Sequence, residues 1–564
     1  MTTIKSRAMG LLFIAAIFLH ADEAEAHGGQ YTNGVSTAVP SGSPRPTGIR
    51  IPGTEPTWQN WWQHNSEEFL DARDRKQRQA NEKPPTTTIG SDTQSKTVSA
   101  IDRRKVLLPV ITPLLLHGST EIVDAAAIAI GRIGDASDSD LLVPLLTHGN
   151  PKIREAAMLG IGLLRDPRGA QSLITILRNT RTTADDRALA AIALGLSGGR
   201  EARAALEERL GKSSPIKGAS RAKTRQLEGC RALGLGLIGD PDCIDLLTAR
   251  LSKHASRDAN FEPMILTALA RLDEPATART AVRAVSHRRN DIRRSAWILA
   301  GRSVQLHETK IVRSLLKALA RERDRFARNM ACIALGRIGH PDAVKQLIKL
   351  WTKGGNRDER CFAAVGLGIS QDIDAVKKLR VALLKENDLN LRGATAIALG
   401  IAGDEESGAP LLKLLQSVGD PDLRANIIWS LGMLEHKGAL AELRRLMAGA
   451  RKSELVMACG LALGVIGDTK ALDLLIGVLK TSGSITVKGS MARAIGRLGD
   501  NRASEILLSV AADPKQTDQT RSFAVVALGL LGDKRPRNEL SRISIDSNYA
   551  LISCNALHRV LDIF

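Results

Sequence analysis

The chain has 564 residues, of which 43% are hydrophobic and only 3% aromatic, and its 79 Lys and Arg against 60 Asp and Glu give a net charge of +19. So few aromatic residues favour close-packed helices over a sheet, and six scattered cysteines without a CxxC pair exclude the disulfide framework of a small secreted domain. Length alone suggests several domains unless the chain is built from repeats.

The first predicted element is a cleaved secretory signal peptide at residues 1–26. Two basic residues precede an apolar run over residues 8–21, and Ala24-Glu25-Ala26 is the small-x-small pattern that signal peptidase recognises. The run is shorter than the ~20 residues that cross a bilayer, and no later stretch predicts a transmembrane segment. The sequence therefore predicts a periplasmic or secreted protein that starts at His27.

Two segments precede the main part of the chain. Residues 27–57 are rich in Gly, Pro, Ser and Thr and predict a disordered linker. Residues 58–98 begin with Trp58, Trp61 and Trp62 at helical spacing and continue as a polar linker. The tryptophans predict a cap over the apolar end of a repeat array. The alternative is an aromatic platform for a sugar or a partner protein.

Residues 99–564 carry an internal repeat that aligns on one small residue, the marker position. Five consecutive steps between markers are 32 residues long and the others run from 31 to 41, a spacing typical of a solenoid. The thirteen markers are Gly131, Gly162, Gly195, Gly236, Ala270, Gly301, Gly336, Gly368, Gly400, Gly432, Gly464, Gly496 and Gly529.

Each repeat predicts two helices, A and B. Twelve residues before the marker, eleven of the thirteen repeats have Ser, Thr, Asp or Asn, which predicts the N-cap of helix A. Three residues after the marker glycine often recurs, which predicts a left-handed end of helix A. Eleven residues after the marker an apolar residue stands in every repeat, and this predicts the buried side of helix B.

Two further repeat positions have a predicted structural role. Because Ala270 replaces the marker glycine once, the marker does not require a positive φ, and we expect close approach of neighbouring helices instead. Eight residues before the marker, nine repeats carry Arg or Lys. These side chains predict a ladder of contacts between neighbouring repeats, with a row of ligand-binding arginines as the alternative.

The repeat units resemble a known family. DRFARNMACIALGRIGHPDAVKQLIKL and DLRANIIWSLGMLEHKGALAELRRL are similar to the short HEAT-like repeats of the phycobilisome lyase type, and the resemblance covers about residues 100–564. The N-terminal part is similar to exported bacterial HEAT proteins of unassigned function. The resemblance implies an all-α fold, a right-handed α-solenoid of about 13 to 14 HEAT-like hairpins with an armadillo-type superhelix.

Catalytic chemistry has little support in the sequence. Deoxyhypusine hydroxylase resembles this fold and binds iron through several His-Glu pairs, but His307-Glu308 is the one such pair here. The other histidines lack metal-ligand spacing and predict helix-end or solvated positions. A bilin lyase activity follows only from the family resemblance. We therefore expect no cofactor, no metal and no enzymatic activity. We also expect the cysteines to be buried structural residues, although a disulfide between Cys332 and Cys361 is an open alternative.

The positive charge is concentrated in the middle of the array. Residues 275–395 hold 25 Lys and Arg against 11 Asp and Glu, a local excess of 14. The basic residues that recur on helix B of successive repeats are Arg279, Arg283, Lys310, Arg313, Lys345, Lys349, Lys377 and Lys378. Stacked repeats would align them along one face, which we expect to be the concave one, although a basic row is also typical of an ordinary solvated face.

The sequence thus predicts a periplasmic or secreted scaffold that binds a partner protein through the solenoid. The basic repeats suggest that this partner is acidic. The alternative is a polyanion-binding protein that holds an anionic cell-surface polymer on the basic repeats. Nucleic acid is disfavoured by export and by the scarcity of interleaved aromatic residues.

Overall fold

A computed structural model describes residues 57–70, 100–210, 220–253 and 261–533. These residues form helices, 3-10 turns and loops, and no strand occurs among them. The prediction of an all-α solenoid of helical hairpins is confirmed. The predicted signal peptide, nearly all of the Gly/Pro/Ser linker, the polar linker and residues 534–564 lie outside the described residues.

The described part of the chain contains 27 α-helices. In chain order they are α1 (Trp58–Asn65), α2 (Ala100–Ile111), α3 (Thr120–Ile133), α4 (Ser139–Leu142), α5 (Pro151–Leu164), α6 (Pro167–Arg178), α7 (Ala184–Ser197), α8 (Arg200–Glu207), α9 (Arg221–Ile238), α10 (Ile244–Lys253), α11 (Phe261–Leu272), α12 (Ala278–Ala284), α13 (Asn290–Ser303), α14 (Thr309–Arg321), α15 (Arg325–Ile338), α16 (Pro341–Lys353), α17 (Arg357–Ser370), α18 (Ile373–Lys385), α19 (Leu389–Ala402), α20 (Gly408–Ser417), α21 (Pro421–Met433), α22 (Leu440–Gly449), α23 (Ser453–Ile466), α24 (Leu472–Thr481), α25 (Ile485–Leu498), α26 (Arg502–Ala512) and α27 (Asp518–Gly532). From α3 onward, the odd-numbered helices are the predicted A helices and the even-numbered ones the B helices.

The predicted caps start most of the A helices. Asn150, Thr183 and Asp324 are examples in which the side-chain oxygen accepts a hydrogen bond from a backbone N–H of the first turn. The prediction is wrong at Thr224, because α9 begins one turn earlier and Ser220 caps it. This longer helix follows residues 211–219, which belong to the one long step of the repeat.

The end of helix A is left-handed in most repeats, as predicted. Three residues after the marker, six glycines have positive φ values of 64° to 82°. Four repeats without glycine there also have positive φ, at Arg165, Asp273, Gln371 and Glu435. Gly134 differs, with φ −65°; a Cβ there would lie 2.7 Å from the Ile130 carbonyl oxygen, so lack of space explains that glycine. The repeat geometry therefore imposes a left-handed conformation even on non-glycine residues, where this conformation costs ~1 kcal/mol.

The B helices are held by the predicted apolar position eleven residues after the marker. In the twelve repeats where this residue is described, its side chain is 0% exposed, as at Leu173, Leu347 and Leu475. Burial of one such leucine contributes about 1.5 to 3 kcal/mol. These side chains lie between the A and B helices and form part of one continuous core.

The marker glycines lie where two A helices approach most closely. A Cβ added to Gly195 would lie 2.6 Å from the Cα of Gly234 and 2.7 Å from its carbonyl oxygen, and Gly236 meets Ala268 in the same way. In each case the contact is with the backbone two residues before the next marker. The predicted steric reason for glycine at the marker is therefore confirmed.

The A helices form the inner row of the array and the B helices the outer row. Each A helix packs along the whole length of the next A helix, whereas successive B helices meet at few points. A layer that is packed more closely than its partner lies on the inside of a curve. The basic positions on helix B therefore lie on the outer surface and not on the concave one, contrary to expectation.

The inner row closes on itself. Helix α27 packs along α3, and a Cβ added to the marker Gly529 would meet Ala129, two residues before the first marker, which is the contact made at most of the other marker glycines. Arg132 Nη1 and Asp533 Oδ2 are 2.9 Å apart across this junction and both are buried. Helix α2 packs on both α3 and α27 and takes the position that a B helix has in the other repeats. The thirteen A helices consequently form a ring. No described helix has the length and apolar character needed to cross a membrane.

Candidate interaction surfaces

The tryptophan-rich segment, residues 57–70, is one compact element. The Thr57 hydroxyl accepts a hydrogen bond from the Asn60 N–H and caps α1. The i, i+3, i+4 spacing places Trp58, Trp61 and Trp62 on one side of this helix. All three are buried, with 1%, 2% and 4% of their surface exposed.

This segment contacts the inner row in the middle of the array. The Trp61 ring meets Phe362 of α17 edge-on, with 6.2 Å between centroids, and Trp62 meets Trp429 of α21 at 6.0 Å. The Gln59 side-chain amide donates to Asn390 of α19 at 2.8 Å. These three contacts lie on three consecutive repeats.

A buried ion pair holds the C-terminal part of the tryptophan-rich segment. Both Glu68 carboxylate oxygens accept hydrogen bonds from Arg337 of α15, at 2.9 and 2.7 Å, and Arg302 of α13 lies 3.4 Å from the same carboxylate. The carboxylate is 3% exposed. The sequence offered one signal for this site, an arginine directly after the marker in three successive repeats, at Arg271, Arg302 and Arg337, and our prediction missed it.

Neither predicted role of the tryptophans matches this position. They lie against the middle of the inner row, so they do not cover an end of the array, and their rings present no free aromatic surface. A cavity of about 10 Å³ beside Trp61, Asn65 and Trp297 has room for about one water molecule. The tryptophan-rich segment fills the inner surface of these repeats.

The row of basic residues eight positions before the marker is structural. Arg293 pairs with Glu322 at 2.7 Å, and Arg328 donates to Glu359 at 2.6 Å, in each case toward the following repeat. Lys488 donates to the Leu479 carbonyl oxygen at 3.1 Å, at the end of the preceding B helix. At these three positions the predicted ladder between neighbouring repeats is present.

The eight basic residues predicted as a binding stripe are all exposed on four successive outer helices. Helices α12, α14, α16 and α18 carry two each, and together they form what we call the basic outer surface: Arg279, Arg283, Lys310, Arg313, Lys345, Lys349, Lys377 and Lys378. Two of them have weak pairs with exposed carboxylates, Arg313 with Asp342 at 3.7 Å and Lys377 with Asp374 at 4.0 Å. In the described part of the chain no carboxylate lies within 4 Å of Lys345 or Lys349.

Exposed apolar side chains accompany these charges on α18. Ile373, Val381 and Leu384 are 72%, 55% and 60% exposed, and Leu389 follows at 45%. Large apolar residues that share a surface with basic ones are typical of protein-binding surfaces.

Three histidines and the described cysteines have structural environments. His117, His148 and His340 each accept a backbone N–H at Nδ1, at 3.0 to 3.1 Å, near the start of a helix, in agreement with the predicted capping role. The described cysteines are buried and form no disulfide, so Cys332 and Cys361 are not bridged. Burial raises the pKa of the Cys459 thiol to about 12. Among the described residues, no three His, Cys, Asp or Glu side chains are grouped as metal ligands.

Comparison with known proteins identifies the repeats. The model of the HEAT-repeat family matches residues 108–184, 312–400 and 408–488, and that of the PBS lyase HEAT-like repeat matches residues 391–417. No curated protein matches the sequence.

Several solved structures resemble parts of the chain. The complex of CpcE and CpcF of phycocyanin lyase from Nostoc sp. PCC7120 is 15% identical over 52% of this chain and 94% of that chain, with a TM-score of 0.28. Human deoxyhypusine hydroxylase in complex with glycerol is 19% identical over 59% and 96%, with a TM-score of 0.23. Importin beta is 13% identical over 77% and 64%, with a TM-score of 0.38.

Proposed function

Because the chain is a HEAT-repeat protein that includes a PBS lyase HEAT-like repeat, we propose that it is an exported scaffold which holds an acidic partner protein on the basic outer surface. The single observation that carries this proposal is the set of eight exposed basic side chains on α12, α14, α16 and α18. The local excess of positive charge supports the choice of an acidic partner.

The inner surface also supports a partner site on the outer B helices, because the tryptophan-rich segment already covers part of the inner surface. In three of the four repeats that carry the basic outer surface, the tryptophan-rich segment already contacts the A helix, through Trp61 on α17 and through Glu68 on α15 and α13. A partner that binds these repeats therefore meets the B helices first. Exposed charges of this kind steer and orient a partner, and their effect weakens as salt is added.

A second candidate ligand is an anionic cell-surface polymer. The regional charge supports it equally well, because a polyanion requires only closely spaced cations. The apolar side chains of Val381 and Leu384, which lie on the same helix as Lys377, favour a protein instead. A partner segment that combines acidic and apolar residues would use both features of α18.

Charge reversal tests the proposal. The variant Lys345→Glu/Lys349→Glu/Lys377→Glu changes the basic outer surface by six charge units. The matched control reverses Lys413, Lys437 and Lys480, which are also exposed but lie outside this surface. Both variants and the unmodified chain would be used to capture proteins from an envelope extract at low and high salt, and each captured protein would then be purified and its affinity measured.

We expect the first variant to lose capture of an acidic protein and the control to retain it. The proposed site is wrong if both variants bind equally well. The polymer alternative is favoured if purified anionic polysaccharide binds the unmodified chain with the same salt dependence and no protein is retained. Substituting Val381 and Leu384 with Ser should weaken protein binding and leave polymer binding unchanged.

Export is a separate part of the proposal and rests on residues 1–26. Expression with the native N-terminus in a bacterial host, followed by N-terminal sequencing of the periplasmic and medium fractions, should give a chain that starts at His27. Recovery of only the uncut chain from the cytoplasm would contradict export without affecting the binding surface.

A further inference from the structure

Two buried arginines lie on α7 and α9, in repeats that precede those of the basic outer surface. Arg187 of α7 and Arg231 of α9 are each 3% exposed. Arg187 Nε donates to the Leu177 carbonyl oxygen at 3.0 Å, and Arg231 Nη1 donates to the Ala205 carbonyl oxygen at 2.7 Å. These bonds fix both guanidiniums but supply no negative charge.

The carboxylate that other repeats supply is missing here. Arg154, in the same repeat position as Arg187, pairs with Asp186 at 3.1 Å, and the residue equivalent to Asp186 in the following repeat is Leu227. No carboxylate oxygen in the described ranges lies within 4 Å of Arg187 or Arg231. Arg187 Nη1 is buried and has no hydrogen-bond acceptor in the described part of the chain.

The nearest acidic groups are already paired. Glu208 forms an ion pair with Arg178 at 2.9 Å, and Glu228 forms a buried ion pair with Arg225 at 2.9 Å. A third arginine, Arg209, is exposed just after α8 and close enough to influence both buried guanidiniums. Among the residues that the structure describes, the cluster therefore has three positive charges and no carboxylate bonded to any of them.

The pKa values reflect this crowding. Burial, followed by repulsion from Arg187, lowers the pKa of the Arg231 guanidinium to about 10, and burial with repulsion from Arg209 lowers the pKa of Arg187. Both groups still carry their charge near neutral pH. An uncompensated buried charge costs several kcal/mol, and an anion between the guanidiniums would offset that cost.

We propose that Arg187, Arg231 and Arg209 form a binding site for a tetrahedral oxyanion, phosphate or sulfate. Guanidinium groups bind such oxyanions through paired N–H donors, and Arg187 Nη1 offers a donor without an acceptor. A doubly charged oxyanion matches the two buried cations better than a single carboxylate does. The exposed Arg209 marks the side from which the anion enters. The site is independent of the proposed partner surface.

Isothermal titration calorimetry of the purified chain tests this site. Orthophosphate, sulfate, O-phosphoserine and acetate would be titrated separately at neutral pH, with sodium chloride used to hold the ionic strength constant. We expect one saturable site per chain for phosphate or sulfate and none for acetate. Tighter binding of O-phosphoserine than of orthophosphate would identify a phosphate group carried by a larger molecule as the ligand, and the reverse order would identify the free ion.

Matched variants complete the test. Arg209→Ser removes an exposed side chain and should weaken phosphate binding about ten- to hundredfold, the range expected for one charge-assisted hydrogen bond. Arg200→Ser, an exposed arginine on α8, should leave the affinity unchanged. Arg187→Met should abolish binding, and if this variant does not fold, Arg209→Ser still decides. Absence of saturable binding, equal binding of acetate, or equal losses in Arg209→Ser and Arg200→Ser would overturn the proposal.

Discussion

Replacing one marker glycine with alanine should wedge two inner helices apart. In Gly195→Ala the new Cβ would lie 2.6 Å from the Cα of Gly234 and 2.7 Å from its carbonyl oxygen. Ordinary Cβ contacts begin at 3.4 Å. Both obstructing atoms belong to the backbone, so no change of rotamer can relieve the overlap, and α7 and α9 must separate.

Two opposing terms set the size of this effect. Overpacking a close contact costs about 1 to 3 kcal/mol, and alanine in place of glycine gains ~1 kcal/mol of helix propensity. Because the obstruction is backbone, we expect the upper part of the overpacking range and a net destabilisation of about 1 to 2 kcal/mol. Gly477→Ala is the matched control: Gly477 lies inside α24, and apart from its chain neighbours and its own helix backbone no described atom lies within 4 Å of the added Cβ. That variant should gain ~1 kcal/mol.

Urea unfolding followed by circular dichroism at 222 nm would compare the two variants with the unmodified chain. Repeat arrays need not unfold in one step, so the midpoint of the first transition is the quantity to compare. We expect it to fall for Gly195→Ala and to rise for Gly477→Ala. If both substitutions raise the midpoint equally, close approach of the A helices is not the reason for glycine at the marker position.

Three further predictions concern the inner surface, the ring and acid stability. Glu68→Gln leaves Arg337 and Arg302 without their buried carboxylate and should destabilise the chain by about 3 to 5 kcal/mol. Thermal unfolding monitored by tryptophan fluorescence would measure this loss. A change below ~1 kcal/mol would contradict the tight attachment of the tryptophan-rich segment. Hydrogen exchange should be as slow in α3 and α27 as in the central A helices, because both ends are packed in a closed ring, whereas rapid exchange in both would show that the ring opens. Burial raises the pKa of Glu322, but hydrogen bonds from Arg293 and from backbone N–H groups outweigh this effect and hold the pKa below 4.5. A carboxylate whose pKa is lowered in the folded state stabilises the fold above its unfolded-state pKa, and this stabilisation is lost as the pH falls through the folded-state pKa. Glu322→Gln should therefore destabilise the chain at about pH 7 and much less at about pH 2 to 3, and an equal loss at both pH values in urea unfolding would refute this assignment.

The local features of the repeat were predictable because each depends on residues within one hairpin or two neighbouring ones. The leucine at 347 is buried because helix B has one apolar side, and Asp324 caps a helix because its oxygen meets the first free N–H groups. The marker glycine was also predictable, since the same backbone contact recurs between repeats. Thr224 was misplaced because the repeat spacing changes there and the cap moved with it.

The tertiary structure alone decided which side of the array is inside, that the ring closes, and where the tryptophan-rich segment lies. Closure depends on a small rotation between repeats summed over all thirteen of them, and no single residue encodes that sum. The pairs that result are remote in the chain: Arg132 and Asp533 are 401 residues apart, and Glu68 and Arg337 are 269 apart. Hydrophobic spacing predicts that Trp61 is buried, but it does not predict which residue Trp61 contacts, because many apolar surfaces could cover this side chain. Only the completed ring brings Phe362 into contact with Trp61.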